Sequence, residues 1–592
     1  MRSIAIVGMA CRYPGASSPR QLWENVLAQR PAFRRLPPER LRTDDYQGPE
    51  DSIRCDTAAV IEDFEFDRAR YRVSAPAYRS VDLSHWLALA VAGEVLERLP
   101  QESLAQQTGV FVGNTLTSEF ARANLMRLRW PYVERVLRTA LQQDGFGCDA
   151  EPLLSAVEKL YKSPFAATGE ESLAGGLSNT IAGRICNTFN LQGGGFTIDG
   201  ACASSLLAVA NACSSLDSGS LELALAGGVD LSLDPFELAG FSALGALAHN
   251  AMRVYDRRPT GFWPGEGCGF VALMREEDAL ARGIPVLARI RGWGISSDGH
   301  GSITRPEVAG QLLALDRAYH SAGYGIETVA YFEGHGTGTA VGDATELATL
   351  QEARRRSSAS NGSAAVGSIK TLIGHTKAAA GVASLIKATC AVSSQVIPAT
   401  SGCEDPHPAL AEAPGLRCPK RAELWPEGAP LRAGVSAMGF GGINAHVAIE
   451  GIGTIRRTRL SASEQTLGRT RQDSEVFPLS ARTRNELRDA IARLRAKAEG
   501  LSYGELADCS SALAGQLDAS HEQRAAVVAA TPRELASRLD RLAELLDSSA
   551  ERIVPAEGIY RSDRTTPARI GLLFPGQSSP VQLRRSASAA FC

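Results

Sequence analysis

The 592-residue sequence lacks several features that mark other classes of protein. No apolar run approaches the ~18 residues of a membrane-spanning helix, so no membrane association is expected. None of the 12 cysteines stands in a C-x-x-C pair, which excludes zinc sites of that spacing, and no other metal site is predicted. Lysine and arginine (62) nearly balance aspartate and glutamate (65), so the composition gives no surplus of positive charge that would indicate nucleic-acid binding. We expect a cytoplasmic protein with reduced cysteines.

Composition and periodicity indicate a globular α/β protein with more than one domain. Apolar residues make up 44% and charged residues 21%, a composition typical of globular proteins. The length of 592 residues exceeds the usual size of a domain with one hydrophobic core. Residues 1–450 form the first predicted domain. Within it, apolar strand patterns such as Thr108–Gly113 alternate with helical runs such as Leu206–Cys213. Residues 451–475 are predicted to be a polar linker.

The rest of the chain is predicted to contain a smaller domain and a tail. Residues 476–565 are predicted to form a small α/β domain. A strand at Val476–Ser480 leads into a helix over Thr483–Glu499, and a second helix covers about 532–547. Residues 566–592 are predicted to contain the first strand and turn of a further domain, and the final residues are expected to be a disordered tail.

Cys202 follows a predicted strand, Phe196–Ile198, and a tight glycine turn, and it precedes an apolar helix. At the N-terminus of that helix, free backbone N–H groups and the helix dipole favour the thiolate over the thiol. The same N–H groups can hold an oxyanion after attack on a thioester. Local context alone leaves two interpretations open: a catalytic nucleophile, or one buried cysteine among twelve.

A second motif, Glu333–Asp343, carries His335 between two glycines directly after an apolar strand. The glycines let the imidazole project into a cavity without crowding by the neighbouring residues. Thr337 and Thr339 alternate along the same loop, so their hydroxyls could bind a polar substrate arm. Taken alone, His335 also fits a core histidine with a hydrogen-bond partner.

Two further motifs complete the set. In Gly367–Gly381 a strand ends at Lys370, and a loop delivers His375 just before an alanine-rich helix. Lys370 fits either a surface lysine or, with Gly-His five residues later, a buried cation. In Met438–His446, glycines surround Phe440, which makes this residue either a movable lid or part of a simple turn.

These four motifs, in this order, resemble the ketosynthase domains of polyketide and fatty acid synthases. The resemblance spans residues 1–450 and includes Ile4–Gly15 and Gly261–Gly267. It implies a thiolase-type layered αβαβα fold of two similar halves and a homodimer. It also implies β-ketoacyl synthase activity, in which an acyl thioester condenses with a malonyl group on an acyl carrier protein as carbon dioxide is lost.

The resemblance implies catalytic roles residue by residue. Cys202 matches the acyl-accepting nucleophile, and His335 and His375 match the pair that drives decarboxylation. Lys370 matches the lysine near the second histidine, and Glu346 matches its acidic partner. We predict that Lys370 and Glu346 form a buried ion pair that orients the His375 loop.

Substrate contacts follow from the same resemblance. Thr337 and Thr339 match contacts to a phosphopantetheine arm, and the backbone N–H groups of Cys202 and Phe440 match the oxyanion hole. No cofactor is expected to bind directly, because the acyl carrier protein delivers the phosphopantetheine arm.

Within the family, the sequence is similar to iterative synthases that make enediyne polyenes. The similarity rests on Asp199–Ser205, Asp234–Leu238 and Met252–Asp256, and polyunsaturated fatty acid synthases are near relatives that stay open. Residues 476–565 resemble the linker between ketosynthase and acyltransferase, and Ile570–Gln577 resembles the first acyltransferase strand. The sequence has no Gly-His-Ser-x-Gly nucleophile motif, so we expect a piece of a larger synthase without a working acyltransferase.

Three other functions fit parts of the sequence. A papain-like cysteine protease would use Cys202, His335 and Asn444, but its Cys-Gly-Ser-Cys-Trp neighbourhood is absent. A thiolase would use a second catalytic cysteine where this chain has His375. A non-catalytic scaffold related to synthases typically lacks the nucleophile that Cys202 supplies.

Overall fold

The structure is a computed structural model that describes residues 2–100, 107–115, 118–143, 150–300, 302–357, 362–412, 415–469, 472–547 and 553–563. The predicted acyltransferase start and tail, 566–592, lie outside the described residues. The chain divides into two compact units. Unit 1 contains the residues up to Leu27, Thr43–Cys55 and Ala59–Ala462, and unit 2 contains Ala28–Arg42, Asp56–Ala58 and the chain from Ser463 onward. The boundary after Ala462 falls inside the predicted linker.

Most strands belong to one large sheet in unit 1. In chain order the described strands are β1 (Ile4–Arg12), β2 (Phe33–Arg35), β3 (Thr57–Ala59), β4 (Thr108–Gly113), β5 (Gly195–Ile198), β6 (Leu223–Asp230), β7 (Gly267–Arg275), β8 (Ala288–Ser297), β9 (Tyr331–Glu333), β10 (Ala364–Gly367), β11 (Val396–Ile397), β12 (Leu416–Arg417), β13 (Glu423–Leu424), β14 (Arg432–Gly439), β15 (Ile443–Glu450), β16 (Glu475–Ala481), β17 (Gln523–Ala529), β18 (Ile553–Val554) and β19 (Ile559–Ser562). Eleven of these strands hydrogen-bond in the order β12-β10-β9-β14-β15-β8-β1-β7-β6-β4-β5.

The large sheet consists of two halves with the same pairing pattern. In one half, β1 pairs antiparallel with β7, β7 antiparallel with β6, β6 parallel with β4, and β4 parallel with β5. In the other half, β8, β15, β14, β9 and β10 repeat this antiparallel, antiparallel, parallel, parallel series. Strands β1 and β8 join the halves by pairing Ile4 with Ile290. The repetition confirms the prediction of two similar halves.

Helices cover both faces of the two half-sheets. The described helices are α1 (Pro19–Ala28), α2 (Ala75–Arg79), α3 (Leu83–Leu96), α4 (Ser118–Leu128), α5 (Trp130–Gln143), α6 (Ala150–Lys162), α7 (Ser172–Gly175), α8 (Asn179–Phe189), α9 (Ser204–Asp217), α10 (Pro235–Ala243), α11 (Glu276–Ala281), α12 (Val308–Ala322), α13 (Ala340–Arg356), α14 (Lys370–Ile373), α15 (Ala380–Ser394), α16 (Pro408–Glu412), α17 (Ala462–Leu467), α18 (Arg484–Ala498), α19 (Glu505–Gly515) and α20 (Pro532–Asp547). None of the helices in the described part of the chain is long and apolar enough to cross a bilayer.

Two buried helices form the middle layer of unit 1. Helices α9 and α15 pack on each other and on strands of both halves. Helices α3 and α8 cover the outer face of one half, and α12 covers that of the other, with α13 packed against α12. The two middle helices are apolar nearly all round because sheet surrounds them. Gly381 permits their close approach, since a Cβ there would lie 2.8 Å from the Leu206 Cβ. The layers therefore run helix, sheet, helix, sheet, helix.

Unit 2 contains a four-stranded antiparallel sheet in the order β16-β17-β19-β18. The predicted strand at 476–480 is β16, and the predicted helices are α18 and α20, so these three predictions are confirmed. A capping box between Thr483 and Glu486 sets the start of α18. Strands β17 and β19 and helix α19 complete the core around Phe477.

Candidate active site

The sequence motifs of unit 1 meet where parallel strands end. Strand β5 leads to Cys202, β9 leads to His335, and β10 leads to Lys370 and His375. Strands β9 and β10 pair in parallel in one half of the sheet, and β5 pairs in parallel with β4 in the other half. Each motif therefore follows the carboxyl end of a parallel strand, where α/β sheets usually bind ligands. The predicted end of a strand at Lys370 is wrong, because β10 ends at Gly367 and Lys370 begins the single turn of α14.

A cavity of about 550 Å³ lies where these motifs meet. The predicted site residues on its wall are Cys202, His335, His375, Glu346, Thr337, Thr339 and Phe440. Apolar side chains, among them Phe241 and Phe262, line the same cavity. Lys370 is 1% exposed and lies behind the wall. The fold thus brings together residues that are far apart in the sequence.

A sharp backbone bend presents Cys202 to the cavity. Ala201 has a φ of 49°, in the left-handed region that residues other than glycine seldom adopt. Asp199 Oδ1 accepts the Ala201 N–H at 2.9 Å, and Ser204 Oγ accepts the Gly200 N–H at 2.9 Å. The bend is therefore held on both sides, and α9 begins at Ser204, two residues after the cysteine.

Burial opposes ionisation of the Cys202 thiol. Burial raises the pKa of its thiol from 9.0 to about 12, although the nearby Lys370 ammonium opposes this shift. This shift runs against the expected effect of the helix terminus, which favours the thiolate, because desolvation of the sulfur disfavours its charged form. The sulfur must lose its proton in the course of any acyl transfer.

A hydrogen bond to His335 determines which nitrogen of its ring carries the proton. Its Nδ1 accepts the backbone N–H of Met438 at 3.3 Å. Desolvation and the Lys370 charge hold the pKa of His335 well below 6.5, so the ring is neutral near pH 7. A neutral imidazole that accepts at Nδ1 carries its proton at Nε2. His335 can therefore donate from Nε2 into the cavity.

His375 repeats this arrangement. Its Nδ1 accepts the backbone N–H of Lys377 at 3.2 Å, and the side chain is 2% exposed. Burial, reinforced by the charges of Lys370 and Lys377, holds its pKa well below 6.5. The ring of Phe262 packs edge to face with that of His375, with centroids 5.0 Å apart. Both histidines are thus neutral donors with the proton on Nε2.

Lys370 and Glu346 do not form the predicted ion pair. Instead, Lys370 Nζ donates to the His335 carbonyl at 2.5 Å. Glu346 accepts the N–H groups of His335 and Gly336, at 2.7 and 2.9 Å, and the hydroxyl of Tyr255 at 2.8 Å. The two charged side chains therefore clamp the backbone of His335 from opposite sides. The prediction was wrong because sequence spacing does not reveal that the backbone lies between them.

The threonine loop is held by its own backbone contacts. Thr337 and Thr339 lie on the cavity wall with their Oγ1 atoms 3.1 Å apart. Asp343 Oδ1 accepts the Gly338 N–H at 3.0 Å. Gly338 has a φ of 71°, and a Cβ there would lie 2.4 Å from the Arg253 carbonyl oxygen, so only glycine fits. The loop thus holds the two hydroxyls side by side.

Phe440 lies at the tip of the hairpin between β14 and β15. Gly441 and Gly442 form the turn, with φ values of 91° and 77°. The Phe440 side chain is 43% exposed, and its ring centroid lies 6.3 Å from that of Phe241 on the cavity wall. A short hairpin with two glycines at its tip leaves this side chain room to move.

The same hairpin excludes the protease arrangement. Asn444 donates to Asp298 Oδ1 at 2.8 Å and to the Gly442 carbonyl at 3.2 Å. His335 Nδ1 is occupied by Met438, so Asn444 does not orient this histidine as a cysteine protease requires. Among the cavity-lining residues that the structure describes, Cys202 is the only cysteine, which also removes the thiolase alternative.

Comparison with known families agrees with this geometry. Residues 1–279 match the N-terminal domain of beta-ketoacyl synthases, and residues 287–404 match the C-terminal domain. The chain belongs to the beta-ketoacyl synthase family. Together the two matches run from β1 through the Cys202, His335 and His375 motifs.

The curated proteins that resemble this ketosynthase are large synthases. The chain is 33% identical to a mycocerosic acid synthase-like polyketide synthase of Mycobacterium tuberculosis, over 91% of the chain and 24% of that protein. It is also 33% identical to one component of the polyunsaturated fatty acid synthase of a Thraustochytrium species, over 76% of the chain and 16% of that protein. The chain therefore spans a quarter or less of these relatives.

Solved ketosynthase structures share the fold. The oxazolomycin ketosynthase domain OzmH KS7 of Streptomyces albus is 26% identical, with a TM-score of 0.65 over 95% of this chain and 90% of that one. The ketosynthase from module 6 of the bacillaene synthase of Bacillus subtilis gives 26% identity and a TM-score of 0.63, over 95% and 87%. The predicted thiolase-type layered fold is confirmed.

Sequence reasoning missed one charged cluster of this ketosynthase. Lys377 follows His375 by two residues, and its ammonium is buried between Asp230 and Glu237. Glu237 lies in the Asp234–Leu238 motif, which in the sequence indicated only a likeness to one subfamily. A lysine two residues after a motif histidine was the available signal.

Proposed function

We propose that this ketosynthase catalyses decarboxylative Claisen condensation of an acyl thioester with malonyl carrier protein. Cys202 is the nucleophile, and His335 and His375 are the decarboxylation catalysts. Lys370 and Glu346 hold the His335 backbone. The observation that carries the proposal is that each of the two histidines accepts a backbone N–H at Nδ1, which leaves Nε2 as the donor.

In the first half-reaction, the Cys202 sulfur attacks the carbonyl carbon of an acyl thioester. The thiol proton leaves with the carrier thiol, and the acyl group stays on sulfur. Backbone N–H groups of Cys202 and Phe440 are proposed as the oxyanion hole. The bend at Ala201 supports this role because it presents the sulfur to the cavity at the start of a helix.

In the second half-reaction, malonyl carrier protein enters the cavity. The Nε2–H groups of His335 and His375 donate to the thioester oxygen, where negative charge develops as the carboxylate leaves as carbon dioxide. The resulting enolate carbon attacks the acyl-Cys202 carbonyl, and the Cys202 sulfur is released. Neutral donors suit this step because they stabilise an enolate without first giving up their protons.

The carrier arm and the dimer complete the proposal. Thr337 and Thr339 bind the amide groups of a phosphopantetheine arm that the acyl carrier protein delivers, and the enzyme needs no cofactor of its own.

We also propose a homodimer through β5. This strand is at the edge of the large sheet, and Phe196 on it is 45% exposed, which supports pairing with a second copy.

We propose an iterative synthase of the enediyne type as the context of this domain. Support comes from the Asp199–Ser205, Asp234–Leu238 and Met252–Asp256 motifs. The polyunsaturated fatty acid synthase relative, at 33% identity, favours the alternative that the product is a polyunsaturated acyl chain. The acyl chains trapped on Cys202 during turnover would distinguish the two by mass and unsaturation.

The test separates the two half-reactions. Cys202→Ala should abolish acyl-enzyme formation and retain carbon dioxide release from malonyl carrier protein. His335→Ala and His375→Ala should each lose decarboxylation by roughly a hundredfold or more, as expected for loss of one oxyanion donor, and still acylate Cys202. Intact-protein mass reports the acyl-enzyme, and trapped carbon dioxide reports decarboxylation. Normal decarboxylation by both histidine variants would contradict the proposal.

A further inference from the structure

Lys377 is a buried lysine that the proposed reaction does not use. Its Nζ lies 3.1 Å from Asp230 Oδ1 and 3.3 Å from Glu237 Oε2, and it donates to the Ser232 carbonyl. An ammonium is seldom buried unless it is paired, because desolvating its charge is costly. The cluster therefore holds the end of the Lys377 side chain in one place.

The backbone of Lys377 is bound to His375. Its N–H donates to His375 Nδ1 at 3.2 Å. Its φ is 47°, in the left-handed region, where residues other than glycine are disfavoured unless the surroundings enforce the conformation. Anchoring the side chain supplies that enforcement. The conformation of Lys377 therefore determines whether its N–H reaches the imidazole.

Asp230 binds both the side chain of Lys377 and the backbone of the next residue, Ala378. Its Oδ1 forms an ion pair with the Lys377 ammonium, and its Oδ2 accepts the N–H of Ala378 at 3.3 Å. Asp230 ends β6, and its Oδ1 also accepts the Ser232 N–H at 3.0 Å. The carboxylate thus fixes the side chain of Lys377 and the next peptide at once.

Glu237 ties the cluster to α10. It lies in the first turn of this helix, and the side chain of Asp234 caps the helix by accepting the Glu237 N–H at 3.0 Å. Asp234 in turn forms an ion pair with Arg122 on α4. Burial raises the pKa of Glu237 to about 7, and Lys377 opposes this shift. Burial also raises the pKa of Asp230, and Lys377 again opposes the shift, so the ammonium favours the charged form of both carboxylates.

We propose that Lys377 is a positioning residue that, anchored by Asp230 and Glu237, holds His375 in the tautomer that donates from Nε2. The consequence for decarboxylation rests on the proposed function, but the tautomer itself does not. If Lys377 moves, its N–H no longer occupies Nδ1, and the proton can shift to that nitrogen. In this proposal, Asp230 and the Asp234–Leu238 segment keep the Lys377 side chain in place and so help to position His375.

A second buried lysine provides a matched control. Lys387 forms an ion pair with Glu333 at 2.7 Å and is buried to a similar degree, in α15. Its backbone lies within that helix, and the N–H groups that reach the two imidazoles come from Met438 and Lys377 instead. Lys387→Met removes a buried, paired ammonium, as Lys377→Met does, without touching the His375 contact.

The first measurement is nitrogen NMR of protein labelled at histidine, with the His375 signals assigned by comparison with His375→Ala. The wild type should show a protonated Nε2 and an unprotonated Nδ1. Lys377→Met should show a population protonated at Nδ1, and Lys387→Met should match the wild type. An unchanged His375 tautomer in Lys377→Met would overturn the proposal, whatever the enzyme's activity.

The second measurement compares the two half-reactions. Lys377→Met should lower carbon dioxide release by roughly tenfold to a hundredfold, a range typical when a group that orients another is lost, and lower Cys202 acylation much less. Lys377→Arg should restore part of the loss. Equal loss of both half-reactions would mean that Lys377 only stabilises the fold and would overturn the proposal.

A milder variant guards against misfolding. Glu237→Gln keeps the Asp230–Lys377 pair and should fold, with a smaller loss confined to decarboxylation. Full decarboxylation together with an unchanged His375 tautomer in Glu237→Gln would show that Glu237 has no part in the positioning. A wild type that releases no carbon dioxide from malonyl carrier protein would overturn the proposed function, while the NMR result would still decide the role of Lys377.

Discussion

The rings of His335 and His375 meet edge to face, with centroids 5.6 Å apart and an angle of 86° between their planes. Two positively charged imidazoles would repel each other at this distance. The structure avoids this repulsion because both rings are desolvated and both lie near Lys370, which keeps them neutral. Neutral rings can then direct two N–H donors toward one substrate oxygen.

The first prediction concerns the pH dependence of decarboxylation. An ordinary histidine becomes protonated as the pH falls through about 6.5. Because the pKa values of His335 and His375 lie well below 6.5, both rings should stay neutral as the pH is lowered further. Carbon dioxide release should therefore show no fall of tenfold per pH unit between roughly pH 7.5 and 5.5. Protonation of Glu237, whose pKa is raised to about 7, should give only the small loss expected of Glu237→Gln. Circular dichroism at each pH would confirm that the protein stays folded, and an acid limb centred at 6.5 would contradict the prediction.

The second prediction concerns the reactivity of Cys202. Since burial raises its pKa to about 12, the thiolate fraction should rise about tenfold per pH unit well above pH 9. Alkylation by iodoacetamide, followed on the Cys202 peptide by mass spectrometry, should rise accordingly. A free cysteine peptide should level off near its own pKa of about 8.5. If Cys202 alkylation already levels off below about pH 8, the helix terminus outweighs burial.

The third prediction concerns the clamp on His335. Lys370→Met leaves the His335 carbonyl without its ammonium partner and should cost about 1–3 kcal/mol of unfolding free energy, measured by urea denaturation. The exposed Lys497→Met is the control and should change stability by less than about 0.5 kcal/mol. Loss of the Lys370 charge should also raise the pKa of both histidines, while desolvation, the larger cause, still lowers it. Unchanged stability would rule out the clamp.

The fourth prediction concerns Phe440 as a gate. Phe440→Ala removes the ring that faces Phe241 at the cavity wall and should change acylation rate or chain selectivity more than stability. Phe236→Ala is the control, because that side chain is 70% exposed and does not line the cavity. If Phe440→Ala acylates like the wild type with every chain tested, the side chain is not a gate.

The fifth prediction concerns assembly. The chain has a mass of 62.8 kDa, and sedimentation at micromolar concentration should give about twice this value. Phe196→Asp places a charge on the edge strand β5 and should shift the protein toward monomer, because burying an unpaired carboxylate in the new interface is costly. A wild type that sediments only as monomer would contradict the dimer.

Local motifs sufficed to predict several elements and most of the site. The strand Thr108–Gly113, the helix that follows Cys202 and the helix over Thr483–Glu499 were predictable, because apolar periodicity and capping residues act over a few neighbouring positions. The sequence also identified, by their motifs, the residues that the fold collects around one cavity, from Cys202 to Phe440.

Tertiary structure decided what depends on distance through space. Only the fold could show that Lys370 and Glu346 face each other across the His335 backbone, and that Ala28–Arg42 groups with the second unit. Only the fold could bury Cys202 enough to raise its pKa, and could bring Asp230 and Glu237 to Lys377 across more than a hundred residues of chain. Charge interactions and desolvation depend on neighbours in three dimensions, and the linear order of residues does not specify them.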